Sequence, residues 1–152
     1  MTKGLEIIRG ATLDQALEKE YRQYLTGHLQ YPQPHLQHVE DDIEIGISHY
    51  REFTADKPHV HPVATEHSYV LQGSIKFMVL EPVPTEYRFD AGDFFVLRPG
   101  VPYATKNAPD TKVLFIKAPG TNDKTTVPVT PELSRWLSSW EATYELAPNS
   151  GE

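Results

Sequence analysis

The stretch His59-Val-His61-Pro-Val-Ala-Thr-Glu66-His-Ser-Tyr69-Val-Leu-Gln-Gly73 decides the fold of this chain. Side chains alternate between the two faces of a strand, so His59 and His61 point the same way on an extended backbone. Glu66, arriving from the next strand, adds one carboxylate oxygen to the two imidazole nitrogens. Two histidines and one carboxylate on one side of an ion leave its other positions open to water, substrate or oxygen. The stretch therefore predicts a site for one divalent transition metal, with Fe, Mn, Ni, Co and Zn as candidates.

Short alternating segments surround this stretch between residues 43 and 118. The turns between them carry Gly, Pro, Asn or Asp. Several short strands with regular turn signals are typical of an all-β sandwich or barrel. The predicted strands are 43–53, 67–72, 74–81, 86–89, 93–98, 102–107 and 111–118.

A helix is predicted on each side of the strands. An apolar stripe at helical spacing favours a helix over residues 12–26, with Thr12 and Gln15 as a capping box. Thr130 and Pro131 mark the start of a second helix. Its apolar face is expected to pack on the outside of the barrel. That face consists of Leu133, Trp136, Leu137, Trp140 and Tyr144.

The length of 152 residues fits one domain with three parts. We expect a helix and a polar arm over 1–42, the barrel over 43–118, and a helical extension over 119–152. Within the first part, residues 28–42 are irregular, and 28–38 are a candidate lid over the barrel mouth.

Charge and composition exclude several classes of function. The net charge is −7, which disfavours binding to a phosphate backbone, so no nucleic-acid partner is expected. The chain has no cysteine, which removes thiolate metal sites and disulfides. We find no apolar stretch long enough to span a membrane and no leader peptide, and we expect a cytoplasmic protein.

Two motifs in this sequence resemble the signatures of the cupin superfamily. The first is H-x-H, four residues, Glu, six residues, Gly, with Tyr69-Val-Leu before Gly73. The second is Gly92-Asp-Phe-Phe-Val-Leu-Arg-Pro-Gly-Val-Pro-Tyr103. The resemblance covers about residues 43–118 and implies a double-stranded β-helix, a jelly-roll barrel, whose metal is held by His59, His61 and Glu66.

Tyr103 stands where the family usually has a fourth ligand, a histidine. Three alternatives follow: Tyr103 is a hydrogen-bond donor beside a three-ligand metal, it ligates as phenolate, or the site is weakened and serves only ligand binding. A loop histidine is a further candidate for the missing ligand. The histidines in or beside the loop are His28, His35 and His38.

The predicted function is that of a metal-dependent enzyme acting on a small polar or anionic metabolite. The family implies dioxygenase or isomerase/lyase chemistry. We expect Tyr103 to act as proton donor or fourth ligand in this chain, with Glu66 in the catalytic set. The alternative is a non-catalytic cupin that binds or senses a small molecule. An open strand edge also favours a homodimer. Candidate substrate-binding residues are Tyr69, His49, Arg51 and Phe77, and Arg98 and Lys117 are further cations for an anionic group.

Overall fold

Twelve elements of secondary structure make up the chain, for which a computed structural model describes residues 4–146. In chain order they are α1 (Gly10–Lys19), β1 (Arg22–Thr26), β2 (Glu44–Tyr50), β3 (Thr54–Val60), β4 (Thr65–Gln72), β5 (Ser74–Val79), β6 (Thr85–Asp90), β7 (Phe94–Leu97), β8 (Tyr103–Asn107), β9 (Thr111–Ala118), β10 (Thr125–Thr126) and α2 (Pro131–Leu137). The predicted strands from 67 to 118 correspond closely to β4 through β9.

The strands form two antiparallel sheets of five strands each. One has the order β1-β2-β9-β4-β7 and the other β10-β3-β8-β5-β6. Inward side chains from both sheets enclose a cavity of about 510 Å³. On β9, for example, Val113, Phe115 and Lys117 line it, as the period of two requires. The prediction of an all-β jelly roll with a helix near each end is confirmed.

Gly73 occupies the turn between β4 and β5. Its φ is +80°, and a Cβ there would lie 2.4 Å from Thr111 Oγ1. Glycine is therefore required at this position for both its backbone conformation and the close approach of β9.

The first helix is shorter than predicted. It ends at Lys19, and residues 22–26 form β1, which pairs with β2. Pairing with β2 places Arg22 and Tyr24 on the cavity side and Gln23, fully buried, against Ala16 of the helix. These tertiary contacts outweigh the local helical pattern.

The capping box was also wrong. Arg9 occupies the position before the helix and makes no side-chain cap bond, and the helix already includes Thr12. At the other end of the chain, the predicted start of α2 is confirmed, because the Thr130 side chain accepts a hydrogen bond from Leu133 N. The helix ends at Leu137, earlier than the apolar pattern suggested.

The α2 helix packs on the outer face of the second sheet. Leu133 and Trp136 lie in one buried cluster with Met78 of β5 and Ala104 of β8. Lys106, also on β8 and fully buried, donates hydrogen bonds to the carbonyls of Trp136, Ser139 and Ala142. The outer packing predicted for this helix is therefore observed.

The arm over residues 28–42 is irregular apart from a bridge between Thr26 and Val39. Residues 28–31 and Gln33 line the cavity, so the start of the arm forms part of its wall. Within residues 4–146, no helix has the length and apolar character needed to cross a membrane.

Candidate metal centre

Four polar side chains meet inside the cavity. His59 lies on β3, His61 directly follows that strand, Glu66 lies on β4, and Tyr103 opens β8. His59 Nε2 is 2.8 Å from the Tyr103 hydroxyl, which is 3.1 Å from Glu66 Oε2. Glu66 Oε2 is in turn 3.8 Å from His61 Nε2. The spacing of this motif thus places both imidazoles and the carboxylate in the same cavity.

A β-bulge aims His59 into the cavity. The pairing of β3 with β8 shifts between Asp56 and His59, so both residues face inward although they are an odd number of positions apart. Pro58, which lacks an N–H, lies in the shifted segment and is fully buried. A proline is tolerated in a strand at such a bulge, and bulges commonly redirect side chains beside functional sites.

Hydrogen bonds on the far side of each ring orient the two histidines. His59 Nδ1 is 2.9 Å from the carbonyl of Lys57, and His61 Nδ1 is 3.0 Å from Asp123 Oδ1. A carbonyl and a carboxylate only accept, so each neutral ring carries its hydrogen on Nδ1. Both Nε2 lone pairs are therefore left for the cavity. This is the form in which imidazole binds a metal, with the outer partner fixing the ring.

Asp123 remains a carboxylate throughout the neutral range. Burial favours the protonated acid, but hydrogen bonds from Ala64 N, His61 and Val63 N outweigh it and lower the pKa of Asp123 to about 2. Its Oδ2 accepts from both backbone N–H groups, at 2.8 and 3.0 Å. Asp123 therefore holds the His61 ring and the turn before β4 in position relative to each other.

The protonation states suit a metal site. Burial lowers the pKa of His59 to about 4, so its ring is neutral at pH 7. Burial and the adjacent Glu66 carboxylate raise the pKa of Tyr103 well above its usual range, so the phenol keeps its proton. Tyr103 is thus a neutral hydroxyl between two acceptors.

The Tyr103 hydroxyl has one hydrogen for two acceptors, His59 Nε2 and Glu66 Oε2. His61 Nε2 also faces Glu66 with no hydrogen between them. Such a set of lone pairs is completed by a cation, and the donors fit a divalent transition metal. Two tetrahedral ligands about 2.1 Å from one ion lie roughly 3.4 Å apart, close to the His61–Glu66 separation.

The side chains of the site are not arranged as a complete coordination sphere. Over residues 4–146, no three His, Asp or Glu side chains are gathered at metal-holding distances. The Tyr103 hydroxyl lies between His59 and Glu66 instead.

Phe77 and Lys117, two of the predicted substrate-binding residues, also line the cavity. The Phe77 ring stacks on Tyr103, with centroids 4.6 Å apart and an interplanar angle of 10°. Lys117 pairs with Glu44, at 3.3 Å.

The other candidates for substrate binding do not line the cavity in the described part of the chain. His49 pairs with Asp110 at 2.8 Å, and Tyr69, Arg51 and Arg98 are exposed. Among the loop histidines, His28 lies at the cavity wall, where it hydrogen-bonds to Glu40 and Asp42. His35 and His38 do not line the cavity in the part of the chain that the structure describes.

Two residues of the site carry no signal in the sequence. Asp123 stands in an irregular segment, and its role depends on that segment folding back to β3. Arg22 belongs to the strand that we predicted as helix. Neither residue lies in a motif, so only the folded chain identifies them.

Comparison with known proteins agrees with this geometry. The family model described as Cupin matches residues 52–150, well over half of the chain. No curated protein matches the sequence.

The fold is similar to that of KdgF from Halomonas sp., with a TM-score of 0.50 and 19% identity over 67% of this chain and 80% of that one. It is also similar to the oxalate decarboxylase of Bacillus subtilis, described with Mn(II) centres, with a TM-score of 0.50 and 15% identity over 57% of this chain and 24% of that one. At these identities the similarity concerns the fold alone. The signature motifs, the two facing sheets and the family match lead to one conclusion: this chain belongs to the cupin family.

Proposed function

We propose that this protein is a divalent-metal-dependent enzyme that acts on a small polar or anionic molecule. The observation that carries the proposal is the set of converging lone pairs: Nε2 of His59 and the carboxylate of Glu66 share one hydroxyl hydrogen, and Nε2 of His61 faces the same carboxylate at 3.8 Å. Lone pairs without their own hydrogen are not expected in a purely structural core, because buried polar groups normally have their full set of partners.

His59, His61 and Glu66 would hold the metal, and the Nδ1 hydrogen bonds would keep both rings in the binding tautomer. When bound, a divalent metal polarises a substrate oxygen or lowers the pKa of bound water. The two histidines are largely buried, so their interaction with a substrate is little screened by water.

Tyr103 supplies the proton-bearing group. We assign it as a neutral donor to substrate or bound water rather than as a phenolate ligand, because its hydroxyl donates to Glu66 Oε2 and lies 2.8 Å from His59 Nε2. Stacking on Phe77 holds the ring in place. The same hydroxyl can stabilise negative charge that develops on a substrate oxygen near the metal.

The type of reaction depends on the metal. Iron favours oxygen chemistry, and manganese, nickel, cobalt or zinc favours isomerase or lyase chemistry by polarising a carbonyl. The Mn(II) centres of the B. subtilis oxalate decarboxylase are precedent for a metal in a related fold. We propose one metal per chain.

Elemental analysis of protein purified without added metal tests the proposal. It is followed by titration of metal-free protein with each of the five metals. We expect one tightly bound ion per chain, lost in His59→Gln, His61→Gln and Glu66→Gln. His35→Gln, which changes an exposed histidine, is the matched control and should bind as wild type.

Failure of every one of these metals to bind, or binding that survives all three ligand substitutions, would contradict the proposal. Turnover is then sought with the loaded protein on small hydroxy, keto and carboxylic acids. Stoichiometric metal without turnover on any of them would favour the binding or sensing alternative.

A further inference from the structure

We propose that Arg22 binds the carboxylate of an organic acid inside the barrel. Arg22 comes from β1, which precedes the residues matched by the family model. That this acid is also the substrate rests on the proposed function, whereas the carboxylate site does not depend on a metal.

The Arg22 guanidinium is held rigidly. Its Nε donates to Ser48 Oγ at 2.9 Å, and its Nη2 donates to the Tyr50 hydroxyl at 2.8 Å. Its central carbon lies 5.2 Å from the ring centroid of Tyr21 and 5.7 Å from that of Phe115. A planar guanidinium fixed in this way has lost its rotamer entropy before a ligand arrives.

Phe115 reaches this position because β2 has a glycine opposite it. A Cβ on Gly46 would lie 2.2 Å from the Phe115 ring, so any larger residue would displace the ring. The pairing of Gly46 with Phe115 therefore places the Phe115 ring against the Arg22 guanidinium.

Arg22 has no carboxylate partner of its own. No ion pair joins it to an Asp or Glu within residues 4–146, and its Nη1 donates no hydrogen bond to a described residue. Asp56 acts on Arg22 through space, but no hydrogen bond or ion pair joins the two side chains in the described residues, and Asp56 Oδ2 accepts from Thr105 instead. An arginine is always charged, and a buried or half-buried charge is normally paired. The missing partner is therefore an anion that enters the cavity.

A second donor faces the same end of the cavity. The side-chain nitrogen of Asn107 is buried and has no partner in the described part of the chain. Asn107 lies opposite Ile75, which packs in one cluster with Tyr50, the partner of Arg22. An unpaired buried donor costs free energy, and an acceptor on a ligand would remove that cost.

The sheet register places this end away from the metal-binding side chains. In the backbone register, Lys117 of β9 lies opposite both Glu66 of β4 and Glu44 of β2. Arg22 of β1 lies opposite Ser48, which is four residues after Glu44 on β2. Four residues of strand separate the two backbone positions by about 13 Å, and the charge of Arg22 still acts on Tyr103 through space. Both ends therefore face one continuous cavity.

The wall of the cavity between the two ends is mixed. Phe77, Phe95 and Phe115 line it beside Ser68, Thr105 and Asp56. The ligand class that fits is an organic acid with its carboxylate on Arg22 and a metal-binding oxygen at the opposite end.

Calorimetric binding to metal-free protein tests the site separately from the metal. The probes are 4-hydroxybenzoate, 3-phenylpropionate and adipate, each compared with its neutral amide. At least one carboxylate should bind about tenfold or more tightly than its amide, as a charge-assisted bidentate contact predicts. Arg22→Gln should remove that preference, and Arg22→Lys should retain only part of it.

Arg98→Gln removes an exposed arginine and serves as the charge-matched control, which should bind as wild type. The Nε–H cross-peak of Arg22 in nitrogen NMR spectra should shift on addition of the acid, which checks the contact in the unaltered protein. The inference fails if no carboxylate is preferred over its amide, if the preference survives in Arg22→Gln, or if the cross-peak of Arg22 does not shift on addition of the acid. Loss of metal binding with intact carboxylate binding would instead overturn the proposed function alone.

Discussion

Tyr103 carries the hydroxyl hydrogen that lies between His59 and Glu66. Whether Tyr103 is a neutral donor or a phenolate ligand distinguishes the alternatives for the site. A phenolate ligand would make the metal depend on Tyr103, whereas a neutral donor would not. The Tyr103→Phe variant keeps the ring that stacks on Phe77 and removes only the hydroxyl.

We expect Tyr103→Phe to retain one metal per chain and to lower any turnover by about 10²–10⁴-fold, the usual contribution of a positioned proton donor. Metal content and steady-state rates of the loaded variant measure both effects. Loss of the metal in Tyr103→Phe would instead identify Tyr103 as a ligand.

Under the proposed function, Asp123 would act on the metal through His61. In Asp123→Asn, the remaining side-chain oxygen can accept either from His61 Nδ1 or from the backbone N–H groups of Val63 and Ala64. The amide NH₂ group then faces the donor or donors left over, so two donors meet. We expect metal affinity to fall about 10–100-fold with the fold retained. Competition with a chelator measures the affinity, and the nitrogen chemical shifts of His61 report its tautomer; unchanged values of both would show that Asp123 only fixes the turn.

At the scale of elements, strand pairing decides what sequence periodicity leaves ambiguous. The segment 12–26 has apolar spacing compatible with a helix, yet its second half becomes β1 because β2 offers an open edge there. The bulge in β3 is similar, since nothing in Lys57-Pro58 indicates by itself which way His59 will point.

The α2 helix is attached to the barrel through Lys106. The Lys106 ammonium group donates hydrogen bonds to three carbonyls at and after the end of the helix, those of Trp136, Ser139 and Ala142. It also lies 4.3 Å from the Trp136 ring centroid. Lys106→Met would leave those carbonyls without a donor in a buried place. We expect the free energy of unfolding to fall by about 3 kcal/mol in denaturant titrations.

Lys76→Met is the matched control, because Lys76 donates to one carbonyl, that of Trp140, and is only half-buried. It should cost about 1 kcal/mol. Equal losses for the two variants would show that the number of carbonyl contacts does not set the stability of this attachment.

At the scale of the whole molecule, the alternating strands and the two signature motifs together predicted the barrel, and the spacing of the first motif predicted that its own side chains face one cavity. His59, His61 and Glu66 are close in sequence, and their facing follows from strand alternation. Arg22 and Asp123 are 37 and 62 residues from His59 and His61. Their positions depend on how the terminal segments return to the barrel, which local patterns do not encode.

Metal binding should stabilise the whole chain, because its ligands come from β3, β4 and the segment between them. A ligand present at 100 times its Kd adds about 2.7 kcal/mol to the free energy of unfolding. We therefore expect the Tm of the metal-free protein to rise with added metal in the wild type and in His35→Gln. His61→Gln should show no such rise, and an equal rise in that variant would indicate binding elsewhere.

The convergence of His59, His61 and Glu66 on one ion is tested most directly by anomalous diffraction from crystals of the metal-loaded protein. We predict one strong anomalous peak in the cavity, about 2.0–2.2 Å from Nε2 of His59, Nε2 of His61 and a carboxylate oxygen of Glu66. A strong peak bound by other side chains, or metal-loaded crystals without a peak among these three residues, would contradict the account.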